Sequence, residues 1–151
     1  MSKLDSLTSI IGILLVLTTT IIALMTNIFI GPFIFLLAVI PIGLLIIRGG
    51  FKILKEVSAD IIFGFIDTGM MTVFAVIGSI WGPLGAVVGA GVGDALTDAI
   101  AGFFEGAISE KLREHGIEEA RTPMKASLGK MTGCLIGSAV TVTIAQLLAV
   151  I

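Results

Sequence analysis

VSADIIFGFIDTGMMTVFAVIGSI, residues 57–80, and LGAVVGAGVGDALTDAIAGFFEGA, residues 84–107, are joined by Trp81-Gly82-Pro83 and decide how the chain is read. Each is long enough to cross the hydrocarbon core of a bilayer, which takes about 20 apolar residues of α-helix. Each nevertheless carries acids far from its ends: Asp67 in the first, Asp94 and Asp98 in the second. An ionised carboxylate at the centre of a membrane helix costs at least about 2.5 kcal/mol on insertion scales, so such a group must face protein, pair with something or titrate. Acids in that position usually mark an ion or proton path.

Composition agrees with the membrane reading along the whole chain. Of 151 residues, 56% are hydrophobic and only 13% charged, and the mean hydropathy is +1.15, far from the usage of a soluble domain. The length allows about five crossings and leaves no room for a soluble domain. The net charge of −2 gives no sign of a nucleic-acid partner. Cys134, the only cysteine, excludes a disulfide framework or a thiolate zinc site within one chain. His115, the only histidine, falls in a charged connection and reads as a solvated side chain.

Upstream, a first helix is expected from about Leu7 to Met25, too long for a secretory core and without a small-residue cleavage pattern after it. Asn27 to Pro32 reads as a tight reversal into a second helix, about Phe33 to Ile47, kinked at Pro41. Neither helix holds an ionisable residue, and their threonines and serines can bond back to their own turns, so both read as lipid-facing support. A basic connection follows, with Arg48, Lys52 and Lys55 around Gly49 and Gly50. Residues 1–56 thus form a two-helix hairpin plus basic loop, and residues 57–151 a three-helix core.

In that core the helices are expected from about Val57 to Ile80, Leu84 to Ala107 and Met124 to Val150, with Thr122-Pro123 as the cap and first turn of the last. The polar stretch from Ile108 to Lys125 predicts a short surface helix ending near Gly116. Gly85, Gly89 and Gly93 lie on one stripe, and Gly129, Gly133 and Gly137 on another; small residues at this spacing let helix backbones approach closely. The fold class is therefore an all-α integral membrane protein with about five transmembrane helices and a short polar surface helix between the fourth and fifth. Lys3, Arg48, Lys52, Lys55, Lys111, Arg113, Arg121 and Lys125 fall on one side of such a bundle, which puts the amino terminus in the cytoplasm and the carboxyl terminus outside. So strong a bias argues against dual topology, and a dimer would be parallel.

At about 1.5 Å of rise per residue, Asp67 and Asp94 both reach the midplane from opposite ends of antiparallel helices. Asp98 is one turn beyond Asp94 on the same face, with Thr97 beside it, and Glu105 continues that face toward the cytoplasm. Asp60 lies two turns below Asp67, near the mouth. With Thr68 and Thr97 these acids form a ladder of hard oxygen ligands suited to Na+, Ca2+, Mg2+ or a proton, whereas soft-metal ligands are missing. Lys130 either neutralises one acid when no cation is bound or snorkels to the headgroups, the reading favoured here. The competing reading of the aspartates is hydrogen-bonded glue between helices. Three converging acids with two more toward the mouth favour a site.

Phe63-Gly64-Phe65-Ile66-Asp67-Thr68-Gly69-Met70-Met71, then Gly93-Asp94-Ala95-Leu96-Thr97-Asp98-Ala99-Ile100-Ala101-Gly102, then Leu128-Gly129-Lys130 with Gly133 and Gly137, resemble the transmembrane protein 65 family. The similarity runs from about Asp60 through the last helix, and the order and helix placement of all three motifs agree. Eukaryotic members are mitochondrial inner-membrane proteins linked to sodium-dependent calcium efflux, so the resemblance implies a Na+/Ca2+ exchanger-like antiporter. By position Asp67 matches the aspartate of the family's Gly-Phe-x-Asp motif, Asp98 the aspartate ending its Gly-Asn-x-x-Ser-Asp motif, and Gly129 and Lys130 its Leu-Gly-Lys segment. Thr68 and Asp94 stand where the family has asparagine, and Thr97 where it has serine. Asp94 adds a negative charge at the site and bears on ion choice. The first two helices lie outside the resemblance, and without a mitochondrial transit peptide a prokaryotic plasma membrane is expected.

The leading expectation is a secondary cation transporter in which a divalent ion and several Na+ ions compete for Asp67, Asp94 and Asp98, with no resident cofactor. Since the chain is short for a transporter, a parallel homodimer is expected, with the glycine stripes as candidates for its contact. A Mg2+ or Na+ channel with the acids as a selectivity ring and a non-transporting assembly protein are the alternatives. An enzyme is not expected: no nucleophile with a base, no metal-ligand spacing and no phosphate loop occur, and Gly89-Ala90-Gly91-Val92-Gly93 lies inside a membrane helix.

Overall fold

The computed structural model describes residues 3–25, 30–114 and 122–148, with the backbone alone described at residues 3, 23–24 and 102–114. The described residues fold into α1 (Lys3–Met25), α2 (Ile30–Leu37), α3 (Val39–Gly49), α4 (Lys52–Glu56), α5 (Ser58–Gly78), a single 3-10 turn at Ser79–Trp81, α6 (Gly82–Glu114) and α7 (Pro123–Leu147), with no strand among them. Four stretches are long and apolar enough to cross a membrane: Leu4–Ile22, Ile30–Gly49, Ser58–Ala101 and Pro123–Leu147. The third, of 44 residues, is folded back on itself as α5 and α6.

Local chemistry accounts for the breaks. α2 and α3 part at Ala38, three residues before Pro41, whose missing N–H removes the bond the Leu37 carbonyl would accept. Gly50, at φ +65°, ends α3, and Gly82, at φ +83°, lets the chain reverse between the 3-10 turn and α6. Thr122 caps α7: it is extended, its hydroxyl accepts from the Lys125 N–H at 3.4 Å, and Pro123 follows in the first turn. The basic connection is not all loop, since Lys52–Glu56 forms α4.

The expected boundary after the fourth crossing is corrected. Ile108 to Glu114 do not begin a separate surface helix; α6 runs unbroken to Glu114. Nothing in Gly102 to Glu114 is proline, and from Ala107 onward Ala, Glu, Lys, Leu and Arg are good helix formers, so an established helix propagates through the change in polarity. Residues 115–121, with His115 and the expected stop at Gly116, lie outside the described residues, as do residues 26–29 of the expected reversal before α2.

α5 is the central strut, with α6 on one side and α7 on another. Both glycine stripes face it. A Cβ on Gly85 or Gly89 would run into the carbonyls of Gly78 or Phe74, and one on Gly93 would lie 2.9 Å from the Met71 Cα. On α7, a Cβ on Gly133 would strike the Ile61 carbonyl, and one on Gly137 the Phe65 carbonyl. The stripes expected as candidates for a subunit contact are therefore occupied within the chain, because only glycine lets these backbones come so close.

α7 also receives the amino-terminal helices. Gly31 of α2 meets the Thr143 backbone, and its N–H donates to Gln146 Oε1 at 3.0 Å. Leu45, Ile53, Val57, Met124 and Leu128 close an apolar cluster at the end where α3, α4 and α7 meet. Lys125 pairs with Glu56 across this end at 2.7 Å, and Arg48 with Asp5 at 2.7 Å. α1 is the most peripheral helix, with Leu7, Leu14, Leu17 and Ile21 exposed, while Thr8, Thr19 and Thr20 return their hydroxyls to carbonyls of their own helix. The two expected domains thus share a packing surface on α7.

Candidate cation site

Asp67 and Thr97 form its centre. The α5–α6 hairpin brings them together: its glycine contacts set an antiparallel register in which Gly85 meets Gly78, Gly89 meets Phe74, Gly93 meets Met71, and Thr97, one turn further, meets Asp67. Asp67 is 7% and Thr97 6% exposed, and Thr97 Oγ1 donates to Asp67 Oδ1 at 2.7 Å. The same hydroxyl lies 3.0 Å from the Gly93 carbonyl and 3.0 Å from the Asp94 carbonyl. A hydroxyl has one proton to give and two lone pairs to offer. With Asp67 ionised, Thr97 donates to the carboxylate; with Asp67 protonated, the acid donates to Thr97, which turns its own proton to Gly93. The pair therefore satisfies both charge states of an acid roughly 14 Å into α5, counted from Ser58 at 1.5 Å per residue.

The side of Asp67 toward α7 is polar as well. The half-buried Cys134 of α7 packs at Gly64, one turn before Thr68 on α5, which puts its thiol close to Thr68 and Asp67. Thr141 Oγ1 donates to the Gly69 carbonyl at 3.3 Å, and Thr72 Oγ1 to the Thr68 carbonyl at 2.6 Å. Among the described residues the backbones of α6 and α7 do not approach each other, and both pack on α5. Lys130 places its Nζ 4.6 Å from the centre of the Phe63 ring on α5, a cation–π contact within the chain. Asp60, half-buried in the first turn of α5, is also engaged.

Asp94 and Asp98 are placed differently. Each follows an α5-facing residue, Gly93 or Thr97, by one position, which turns it about 100° around α6. Both are exposed on a helix that, among the described residues, packs only on α5 and the adjoining 3-10 turn. Among the described residues no three His, Cys, Asp or Glu side chains come together as a metal-holding group. One chain thus joins Asp67 to Thr97, sets Thr68 nearby, and leaves Asp94 and Asp98 on the outside. The Glu105 side chain lies outside what is described.

Cys134 was not among the residues that sequence reasoning placed at the site. Its signal was its position directly after Gly133: once that stripe is known to face α5, the next residue falls on the edge of the contact. No protein-family model, curated protein or solved structure matches this chain.

Proposed function

We propose that this protein is an integral membrane secondary transporter for cations, of Na+/Ca2+ exchange type, in which α1, the α2–α3 pair, α5, α6 and α7 make about five crossings. One observation carries this reading: a carboxylate midway along an apolar helix, buried with a hydroxyl that can accommodate it charged or neutral. Packing alone would be served better by an apolar side chain, since burying ionisable groups for stability is often neutral or costly. Asp67 binds the ion and Thr97 and Thr68 supply neutral oxygens, while Asp94 and Asp98, on the outer side of α6, add negative charge along the path rather than ligands to Asp67's ion. Because an empty, fully ionised site is costly at bilayer depth, the acids must be compensated by one ion or the other, which couples the two fluxes. Asp60 and Glu105 draw cations toward the mouth. The resemblance to the transmembrane protein 65 family supports the choice of Ca2+ and Na+. The excess of Lys and Arg on one side supports a cytoplasmic amino terminus and an outside carboxyl terminus.

The test is flux in liposomes containing only this protein. Sodium-driven 45Ca movement that disappears in Asp67→Asn is the expected result; wild-type flux in that variant refutes the role of Asp67. The exposure of Asp94 and Asp98 on α6 favours one other reading, a Mg2+ or Na+ channel with these acids as a ring about an oligomer axis. Unitary currents without exchange would establish it. Silence in both assays, with Asp67→Asn folding normally, would leave an assembly role.

A further inference from the structure

Lys130 carries a charge within the apolar Pro123–Leu147 stretch, about 10 Å along α7 from Pro123 at 1.5 Å per residue. Arg48 is taken by Asp5 and Lys125 by Glu56. The Lys130 ammonium, with no carboxylate in ion-pair contact among the described residues, rests instead on the Phe63 ring, 4.6 Å from its centre. That ring lies between two acids. Phe63 is three residues past Asp60 and four before Asp67, so the three side chains line one face of α5. The contacts of α7 give the same depth by a second route. A Cβ on Gly129 would lie 3.0 Å from the Asp60 Cβ, and one on Gly64 would strike the Lys130 carbonyl. Cys134, one turn beyond Lys130, packs at the same Gly64, close to Asp67. Lys130 therefore stands on the seam between α5 and α7, about one turn from Asp67.

We infer that Lys130 is a tethered counter-ion for Asp67, which leaves the Phe63 ring for the carboxylate when no metal ion is bound and returns to the ring when one arrives; the inference rests on the transport reading above. Reach and charge both carry it. One helical turn is about 5.4 Å, and the flexible four-carbon stem of a lysine spans that distance. Among the described residues Thr97 engages one carboxylate oxygen of Asp67, Oδ1, so the other is open to a cation. An ionised acid at this depth needs compensation, and the ammonium supplies it when no ion does. The ring provides the second resting place, because its face holds an ammonium more weakly than a carboxylate does, and the lysine can therefore be drawn off and displaced again. Asp60, on the other side of the ring, is already engaged. Anchored where its backbone meets Gly64, Lys130 compensates Asp67 only while the seam between α5 and α7 stays closed. It holds an empty site in place and leaves the crossing to bound ions, which preserves the coupling of the two fluxes.

Calorimetric titration of the purified full chain with CaCl2 in choline buffer tests this, with circular dichroism to check that each variant is folded. Lys130→Gln, which should fold because this side chain is exposed, is expected to bind calcium about fivefold to tenfold more tightly than the wild type, since the metal no longer displaces an ammonium. Phe63→Leu keeps an apolar side chain but removes the ring face, so the ammonium spends more time on Asp67 and calcium binding should weaken by about twofold to fivefold. In the Lys130→Gln background, Phe63→Leu should have no effect. Opposite signs that vanish in the double variant separate a movable counter-ion from a packing role, which would weaken binding in both. A fixed charge acting at a distance would tighten binding in Lys130→Gln yet leave Phe63→Leu at wild-type affinity, and that result overturns the inference. Calcium binding that Lys130→Gln leaves unchanged or weakens also overturns it, while the exchange reading stands. Binding seen in Lys130→Gln but not in the wild type supports the competition directly. Silence in both refutes the exchange reading and the counter-ion together.

Discussion

Replacing Thr97 with valine keeps the shape of the side chain and removes the proton that it gives to Asp67. Both residues are buried, so water cannot take over as donor, and the 2.7 Å contact is the polar partner seen for this carboxylate. A hydrogen bond to a charged group contributes about 1.5–3 kcal/mol. The Gly93 and Asp94 carbonyls lose little, because they retain their places in the helix ladder. Thr97→Val should therefore shift the unfolding equilibrium by roughly tenfold to a hundredfold, at 1.4 kcal/mol per factor of ten. Thr97→Ser keeps the donor and removes one methyl group, for about 0.8 kcal/mol. The expected order of stability is wild type, Thr97→Ser, Thr97→Val, read as reversible unfolding in mixed micelles titrated with SDS and followed by circular dichroism. A cycle with Asp67→Ala separates the bond from the packing, and non-additivity above about 0.5 kcal/mol is expected for groups in direct contact. If Thr97→Val is no less stable than Thr97→Ser, or if the cycle is additive, the hydroxyl does not hold the carboxylate and the two-state account of the pair fails.

Three further outcomes follow from the packing and the charges. Gly133→Ala, whose methyl would strike the Ile61 carbonyl, should cost about 1–3 kcal/mol in the same unfolding assay. Gly43→Ala, with nothing in reach, should stabilise α3 by about 0.5–1 kcal/mol, and equal effects at the two sites would refute the close approach of α5 and α7. The hydrogen bond from Lys125, and then its charge, hold the Glu56 carboxyl below its usual value of 4.5. A depressed acid stabilises the fold above its unfolded-state value and loses that contribution as the pH falls through the folded-state value. Stability should thus decline on acidification below about pH 4.5, and Glu56→Gln should flatten that decline; an unchanged acid limb would show the clasp to be idle. As the only cysteine, Cys134 reports on the site, so its alkylation by N-ethylmaleimide should slow severalfold in CaCl2 relative to choline chloride. Loss of this protection in Asp67→Asn is expected, and its persistence would place the ion elsewhere.

Hydropathy read along the chain was enough for the long apolar helices, because a run of about 20 apolar residues suits a helix that satisfies its own backbone, but not for α4 or for the extension of α6 to Glu114. It also identified Asp67, Asp94 and Asp98 as the costly groups, since a charge within an apolar run is conspicuous wherever its side chain points. The glycine stripes were equally legible as places of close approach. Their partner was not, because helix α6 is nearly as apolar where it meets α5 as where Leu84, Val88 and Val92 are exposed, so polarity does not mark the inner face.

The amino-acid order by itself determined that this chain is a set of helices long and apolar enough to cross a membrane, with acids midway along them, because hydropathy and charge are properties of each segment alone. Tertiary structure decided that both glycine stripes close on α5, which pairs Asp67 with Thr97, sets Cys134 and Thr68 beside them, and turns Asp94 and Asp98 outward. The reason is register. Contacts between backbones at Gly85–Gly78 and Gly133–Ile61 set the rotation and depth of each helix against its neighbour, and a single residue of slip would turn every flanking side chain by about 100°.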